Sequence, residues 1–210
     1  MTSNILFILE IIGTIAFAVS GALTAIKHKM DIFGVAILGL TTATGGGVIR
    51  DLILGSNPPM MFINPVYALT AIGVSIIVFL PAVRKYLHHE HPFFNILVLI
   101  SDSAGLAVFT VSGVRMAIKC GYPDNIFLCL FLGVVTGVGG GVLRDIMAGD
   151  RPFIFVRHFY ATASLIGAAV SLILFEIMGI VPAFIISSLL IFVLRLIAAR
   201  YHWNLPAAND

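Results

Sequence analysis

Charge is the scarcest commodity in this chain: only 10% of its 210 residues are Asp, Glu, Lys or Arg. A soluble domain carries roughly 25%. The deficit leaves too little polar sequence to coat a water-exposed surface, so it excludes an ordinary soluble fold. Cysteine is almost absent too. Cys120 and Cys129 fit no CxxC spacing, which excludes a disulfide framework and a cysteine metal site. The opening Met1-Thr2-Ser3-Asn4 has no basic residue, and the apolar run behind it is about 22 residues, long for a signal segment. The expectation is a mature helix there. No nucleophile–base–acid set and no zinc-ligand spacing occurs, so the sequence does not read as an enzyme. Gly137-Val138-Gly139 does not complete GxGxxG and follows no strand, so a nucleotide site is not expected. Nothing points to a cofactor or to nucleic acid.

What the chain has in abundance is apolar sequence, 60% of its residues, with a mean hydropathy of +1.08. A spanning helix needs about 20 apolar residues. Seven stretches meet that need: Ile5–Ile26, Ile32–Leu54, Pro65–Val83, Phe94–Ala117, Ile126–Ala148, His158–Ile177 and Val181–Ala199. The expected fold is an all-α membrane protein of seven transmembrane helices. Basic residues mark the cytoplasmic side. Lys27, Lys29, Arg84, Lys85, Arg151, Arg157 and Arg200 fall on one side, Lys119 and Arg115 on the other. The N-terminus is therefore expected outside and the C-terminus in the cytoplasm. His88-His89-Glu90-His91 falls in a cytoplasmic loop without a second ligand set and reads as solvated sequence.

The chain also repeats. Glu10–Lys27 set against Asp102–Lys119 gives 8 identities in 18, among them Gly13/Gly105, Phe17/Phe109, Ser20/Ser112 and Gly21/Gly113. Gly39–Pro58 set against Gly133–Pro152 gives 10 identities in 20. Each copy holds three predicted helices. Three is odd, so the second copy enters the membrane from the opposite face, an arrangement typical of secondary transporters. The expected units are residues 5–87, residues 94–177 as the inverted copy, and a seventh helix over 181–200 outside the duplication.

Within the repeat one motif stands out. Gly45-Gly46-Gly47-Val48-Ile49-Arg50-Asp51 returns as Gly139-Gly140-Gly141-Val142-Leu143-Arg144-Asp145. Glycine in a helix interior costs about 1 kcal/mol against alanine, so each triplet is expected to break its helix, the second and the fifth. Non-helical backbone at membrane depth survives only inside protein or along a watered cavity. A half-helix starting at Val48 would aim free N–H groups at an anion. One ending at Thr44 would aim carbonyls at a cation, and Thr42 and Thr136 would add hydroxyls. Close helix packing is the plain alternative for such glycines.

The charges inside the predicted spans include Glu10, Arg50, Asp51, Asp102, Arg144 and Asp145. Such residues face the bundle interior and pair. Neighbours on a helix do not face each other, so Arg50 is expected to pair not with Asp51 but across the repeats, with Asp145 or Asp102, as a structural or gating ion pair. Arg115, Lys119 and Arg195 lie near helix ends and are expected to snorkel. Glu10, Gly13, Phe17 and Ser20 share one helix face, as do Asp102, Gly105, Phe109 and Ser112. Both faces are expected to line the centre.

The paired GGGxxRD segments and Phe-x-Val-Ser-Gly segments resemble the bacterial inner-membrane proteins with two tandem glycine-transporter domains. That family is similar in fold to the trimeric intracellular cation (TRIC) channels. The resemblance covers roughly Ile5–Ile177. It implies an inverted three-plus-three repeat with an added seventh helix, a homotrimer in the inner membrane, and one path per protomer. It implies glycine uptake from the family label and K⁺ or Na⁺ conduction from the channel relatives. The Lys-Glu-Val lipid motif of the animal channels has no counterpart here. The first functional expectation is a carrier for a very small zwitterion, glycine, held at Gly45–Gly47 and Gly139–Gly141 with Glu10 or Asp102 at its ammonium. The alternative is a monovalent-cation channel using the same residues. An accessory membrane subunit is the third class.

Overall fold

In the computed structural model, residues 2–85, 92–156 and 159–203 are described. The His88–His91 loop lies outside them. The chain is helical: α1 (Thr2–Lys27), α2 (Ile32–Ile53), α3 (Met60–Ile63), α4 (Val66–Phe79), α5 (Pro81–Arg84), α6 (Pro92–Lys119), α7 (Ile126–Ala148), α8 (Phe153–Val156), α9 (Tyr160–Met178) and α10 (Ile180–Arg200). Six of these helices are long and apolar enough to cross a membrane. The third predicted span is shorter than expected. α4 has 14 residues and stops at Leu80, which precedes Pro81 and takes an extended conformation, as a residue before proline tends to.

Local signals set the other ends. Asp31 caps α2 by accepting from Gly34 N at 2.7 Å, and Asn125 caps α7 by accepting from Leu128 N at 3.0 Å. α7 ends at Gly149, and Gly179 separates α9 from α10, both at positive φ.

The centre is built from α1, α2, α6 and α7. α4 lies on α1 and α2, α9 on α6 and α7, and α10 against α6 and α9. The two matched faces do meet there: the Phe17 and Phe109 rings stack at 5.5 Å. A Cβ on Gly105 would run into the Phe17 ring, and one on Gly13 would sit 2.7 Å from a Val108 methyl. Large apolar side chains such as Phe33, Leu69, Phe127 and Ile177 point outward. In a membrane protein that is the lipid-facing surface.

The triglycine segments correct the expectation of breaks. α2 runs unbroken through Gly45–Gly47 and α7 through Gly139–Gly141. The energetics favour continuity. Three helical glycines cost about 1 kcal/mol each, whereas each backbone group left unpaired in hydrocarbon costs several. What the glycines provide is proximity. A Cβ on Gly46 would overlap the Thr136 carbonyl oxygen, and one on Gly140 would overlap that of Thr42. This is close packing of α2 on α7. The two threonines follow suit: both are buried, with hydroxyls donating to Leu38 O (2.6 Å) and Leu132 O (2.5 Å) of their own helices.

Candidate functional site: an open cavity and a buried ion cluster

Each Arg-Asp pair is made within one motif. Arg50 donates through Nε (2.9 Å) and Nη2 (2.7 Å) to Asp51 Oδ1. Arg144 donates through Nε (2.8 Å) to Asp145 Oδ1, with Nη2 at 2.7 Å. The expected pairing of Arg50 with Asp145 or Asp102 is therefore overturned. Adjacent Cβ atoms do diverge on a helix, but the arginine stem is long enough to curl round. The second carboxylate oxygen is used as well. Asp51 Oδ2 accepts Met60 N at 2.8 Å and Asp145 Oδ2 accepts Phe153 N at 2.9 Å. Each aspartate thus ties its long helix to the short helix behind it.

Around the first pair lies a cavity of about 260 Å³. It runs from Ser3 and Lys119, at the helix ends on the N-terminal side, down to Gly47, Arg50 and Asp51. Glu10 stands in its wall. Its Oε2 accepts the Tyr67 hydroxyl at 2.8 Å, and its Oε1 accepts Ser112 Oγ at 2.8 Å and Arg115 Nη1 at 3.3 Å. Arg115, expected to snorkel, is thus also an ion-pair partner of Glu10. Gly47 is bare here: a Cβ would find only Arg50 Nη2, at 3.7 Å.

The second pair lies in a sealed environment. Arg144 and Asp102 have side chains 0% and 1% exposed. Arg144 Nη1 donates to Asp102 Oδ1 at 2.5 Å and to Ser20 Oγ at 2.6 Å. Its guanidinium also lies over the Phe153 ring, 4.7 Å from the centroid. Ser20 and Ser112 have each crossed over. Ser20, from the first copy, serves the second cluster, and Ser112, from the second copy, serves Glu10.

Beyond the buried cluster, away from the cavity, Asp150 sits 3.0 Å from His28 Nε2 and 3.7 Å from Lys27 Nζ. Its carboxyl is held below the ordinary value of 3.8. Burial is the largest single influence and pushes upward, but the hydrogen bond with His28 and the Lys27 charge outweigh it together. These contacts join the ends of α1 and α7.

Sequence reasoning missed the tyrosines. Tyr67 and Tyr160 occupy equivalent places once the extra Pro59 of the first copy is allowed for. An alignment carried past Pro58 with a one-residue gap exposes that match. Arg195 was misplaced: it is 2% exposed and stacks on the Tyr160 ring at 4.8 Å. Among the described residues no cluster of His, Cys, Asp or Glu is placed to hold a metal.

A family model described as "Glycine transporter" matches residues 7–82 and 99–176. The UPF0126 inner membrane protein YadS of Escherichia coli is 38% identical over 200 residues, 94% of this chain and 93% of that protein. A UPF0126 membrane protein of Deinococcus radiodurans is 37% identical over 201 residues, 94% and 89% of the two chains. Among solved structures, a TRIC cation channel matches with a TM-score of 0.83 and 38% identity, over 97% of both chains. A prokaryotic TRIC channel in 0.5 M KCl matches with a TM-score of 0.88 and 33% identity, over 97% of this chain and 100% of that one. The TRIC orthologue from Rhodobacter sphaeroides matches with 0.85 and 32%, over 95% and 100%.

Proposed function

The chain belongs to the glycine transporter family of membrane proteins, and from that premise we propose that it is a channel for monovalent cations, K⁺ or Na⁺. The observation that carries this reading is the likeness, at 32–38% identity over nearly the whole chain, to three TRIC cation channels. The proposed assembly is a homotrimer in the inner membrane, with one path per protomer. The proposed topology is an inverted three-plus-three repeat. α4 makes the short third crossing, α10 the seventh, the N-terminus is outside and the C-terminus is cytoplasmic.

On this reading the cavity is the outer vestibule. Glu10 and Asp51 attract the cation, while Arg50 and Arg115 keep it from binding too tightly. The buried Arg144–Asp102–Asp145 cluster is the shut part of the path. A cation passes only when Arg144 leaves Asp102 and Ser20. Gly45, Gly46, Gly139 and Gly140, with Thr42 and Thr136, form the seam on which α2 and α7 move, while Gly47 opens on the cavity and Gly141 on the buried cluster.

A second reading, carriage of glycine, is favoured by the cavity lining. Glu10 faces a space that also holds Arg50, Arg115 and Lys119, a pattern complementary to an ammonium and a carboxylate. One preparation separates the readings. Purified protein in liposomes is assayed for radiolabelled glycine uptake and for K⁺ flux with a potential-sensitive dye. K⁺ flux indifferent to glycine supports the channel. Saturable glycine uptake without ion leak overturns it in favour of the carrier.

A further inference from the structure

The two charged clusters balance differently. Among the ion-paired groups of the cavity, Glu10, Asp51 and Arg50 sum to one negative charge and Arg115 of α6 brings the total to zero, with Lys119 a further positive charge at the mouth. In the buried cluster, Asp102, Asp145 and Arg144 again sum to one negative charge. The residue aligned with Arg115 is Leu23, which is fully buried and uncharged. The second copy therefore lacks its fourth charge at the place where the first has one. A net charge sealed at membrane depth is costly, and such charges are found paired.

Arg195 lies beside this deficit. It comes from α10, the helix outside the duplication. It is 2% exposed, and its Nε and Nη2 have no hydrogen-bond partner among the described residues. Its guanidinium stacks on Tyr160. The Tyr160 hydroxyl reaches the buried cluster: from the point where a Cβ on Gly141 would sit, Tyr160 Oη is 2.9 Å away, Asp102 Oδ1 3.6 Å and Arg144 Nη2 3.7 Å. Asp102 Oδ2 and Tyr160 Oη are themselves buried without hydrogen-bond partners among the described residues. Tyr160 therefore touches Arg195 with its ring face and reaches the surroundings of Asp102 with its hydroxyl.

We propose that Arg195 is the fourth charge of the buried cluster, a tethered counter-ion that stands in for a bound monovalent cation. The seventh helix thereby restores to the second copy the neutrality that Arg115 gives the first. The groups facing the cluster are Asp102 on α6, Arg144 and Asp145 on α7, Tyr160 on α9, Arg195 on α10 and Ser20 on α1. With Arg195 in place their charges sum to zero. Without it the site holds one excess negative charge and recruits a small cation or a proton. This charge balance holds whichever solute the chain carries. In a cation channel it also keeps the shut cluster from trapping the permeant ion.

The test is thermal unfolding of the purified full-length protein in potassium, sodium or N-methylglucamine chloride, at neutral pH and at pH 5.5. Arg195→Gln is expected to gain several degrees of midpoint from K⁺ or Na⁺ over N-methylglucamine, or from acidification, beyond any gain in the unchanged protein. Arg195→Lys is expected to behave as the unchanged protein. Asp102→Asn combined with Arg195→Gln is neutral again and is expected to lose the dependence. An Arg195→Gln protein no more sensitive to cation or proton than the parent overturns the proposal. If Arg195→Gln does not fold, recovery of folded protein by the added Asp102→Asn supports it, and failure of that double variant overturns it.

Discussion

Gly46 and Gly140 meet backbone to backbone at the α2–α7 crossing: a Cβ on Gly46 would lie 3.3 Å from Gly140 N, after first overlapping the Thr136 carbonyl. A carbonyl oxygen in a helix cannot rotate aside. The helix-propensity gain of Gly→Ala is about 1 kcal/mol, against roughly 1–3 kcal/mol for overpacking. Overpacking wins because the obstacle is backbone on both sides. Gly46→Ala and Gly140→Ala are each expected to lower the unfolding midpoint in detergent and to reduce flux. Gly47→Ala and Gly73→Ala meet nothing closer than 3.7 Å, so the propensity gain is unopposed and they are expected to unfold at or above the parent's midpoint. Equal midpoints for Gly46→Ala and Gly47→Ala would refute the packing role.

The exchanged serines differ in access. Both are buried, Ser112 at 3% and Ser20 at 0% exposure, but Ser112 lines the cavity beside Glu10 whereas Ser20 lies beside Arg144 and outside the lining. In a background with Cys120 and Cys129 replaced, Ser112→Cys is expected to react with a membrane-impermeant thiol reagent applied from outside. Ser20→Cys is expected to stay unreactive from either side while the cluster is shut. The native Cys120 is exposed at the end of α6, so its labelling in intact cells reports the proposed orientation. Labelling only after lysis would reverse the topology.

Much of this was legible in advance, for physical reasons. Long apolar runs and scarce charge specify a helical membrane protein because lipid admits little else. Identical spacing revealed the duplication, and the intramembrane charges marked both clusters. The failures share a cause as well. Reading Gly45–Gly47 as a break applied a propensity scale from water, where freed backbone groups find partners, to a place where they find none. Excluding an Arg50–Asp51 pair used Cβ directions for a side chain long enough to ignore them. Placing Arg195 at the surface used distance from the helix end, whereas its neighbours on α9 decide its burial, and no pattern within α10 reveals them.

Arg144 and Arg50 occupy matched positions with unequal stakes. Removing one partner of a buried ion pair costs about 3–5 kcal/mol, because the other charge is left uncompensated. Arg144 holds Asp102 and Asp145 with its side chain 0% exposed, whereas Arg50 borders the cavity, where water can take its place. Arg144→Gln is expected to reduce the yield of folded protein severely, and adding Asp102→Asn should restore part of it. Arg50→Gln is expected to fold and to change flux. Equal loss of folded protein in the two single variants, by size-exclusion profile and thermal unfolding, would show that the cavity does not hydrate Arg50.

Glu10 decides between the two solutes. It is the carboxylate of the cavity wall with three side-chain partners, Tyr67, Ser112 and Arg115. Glu10→Gln keeps the shape and the capacity to accept hydrogen bonds but removes the charge. In a cation channel the loss lowers the local concentration of cation and leaves Arg115 uncompensated, so conductance is expected to fall several-fold, most at low ionic strength where screening is weak. In a glycine carrier the same change removes the partner of the ammonium. Uptake then needs a higher glycine concentration for half-saturation, with little dependence on salt. Measuring K⁺ flux and glycine uptake for Glu10→Gln at low and high ionic strength distinguishes these outcomes. A salt-dependent loss of K⁺ flux is the expected one, and unchanged flux in a folded protein would remove the cavity from the path.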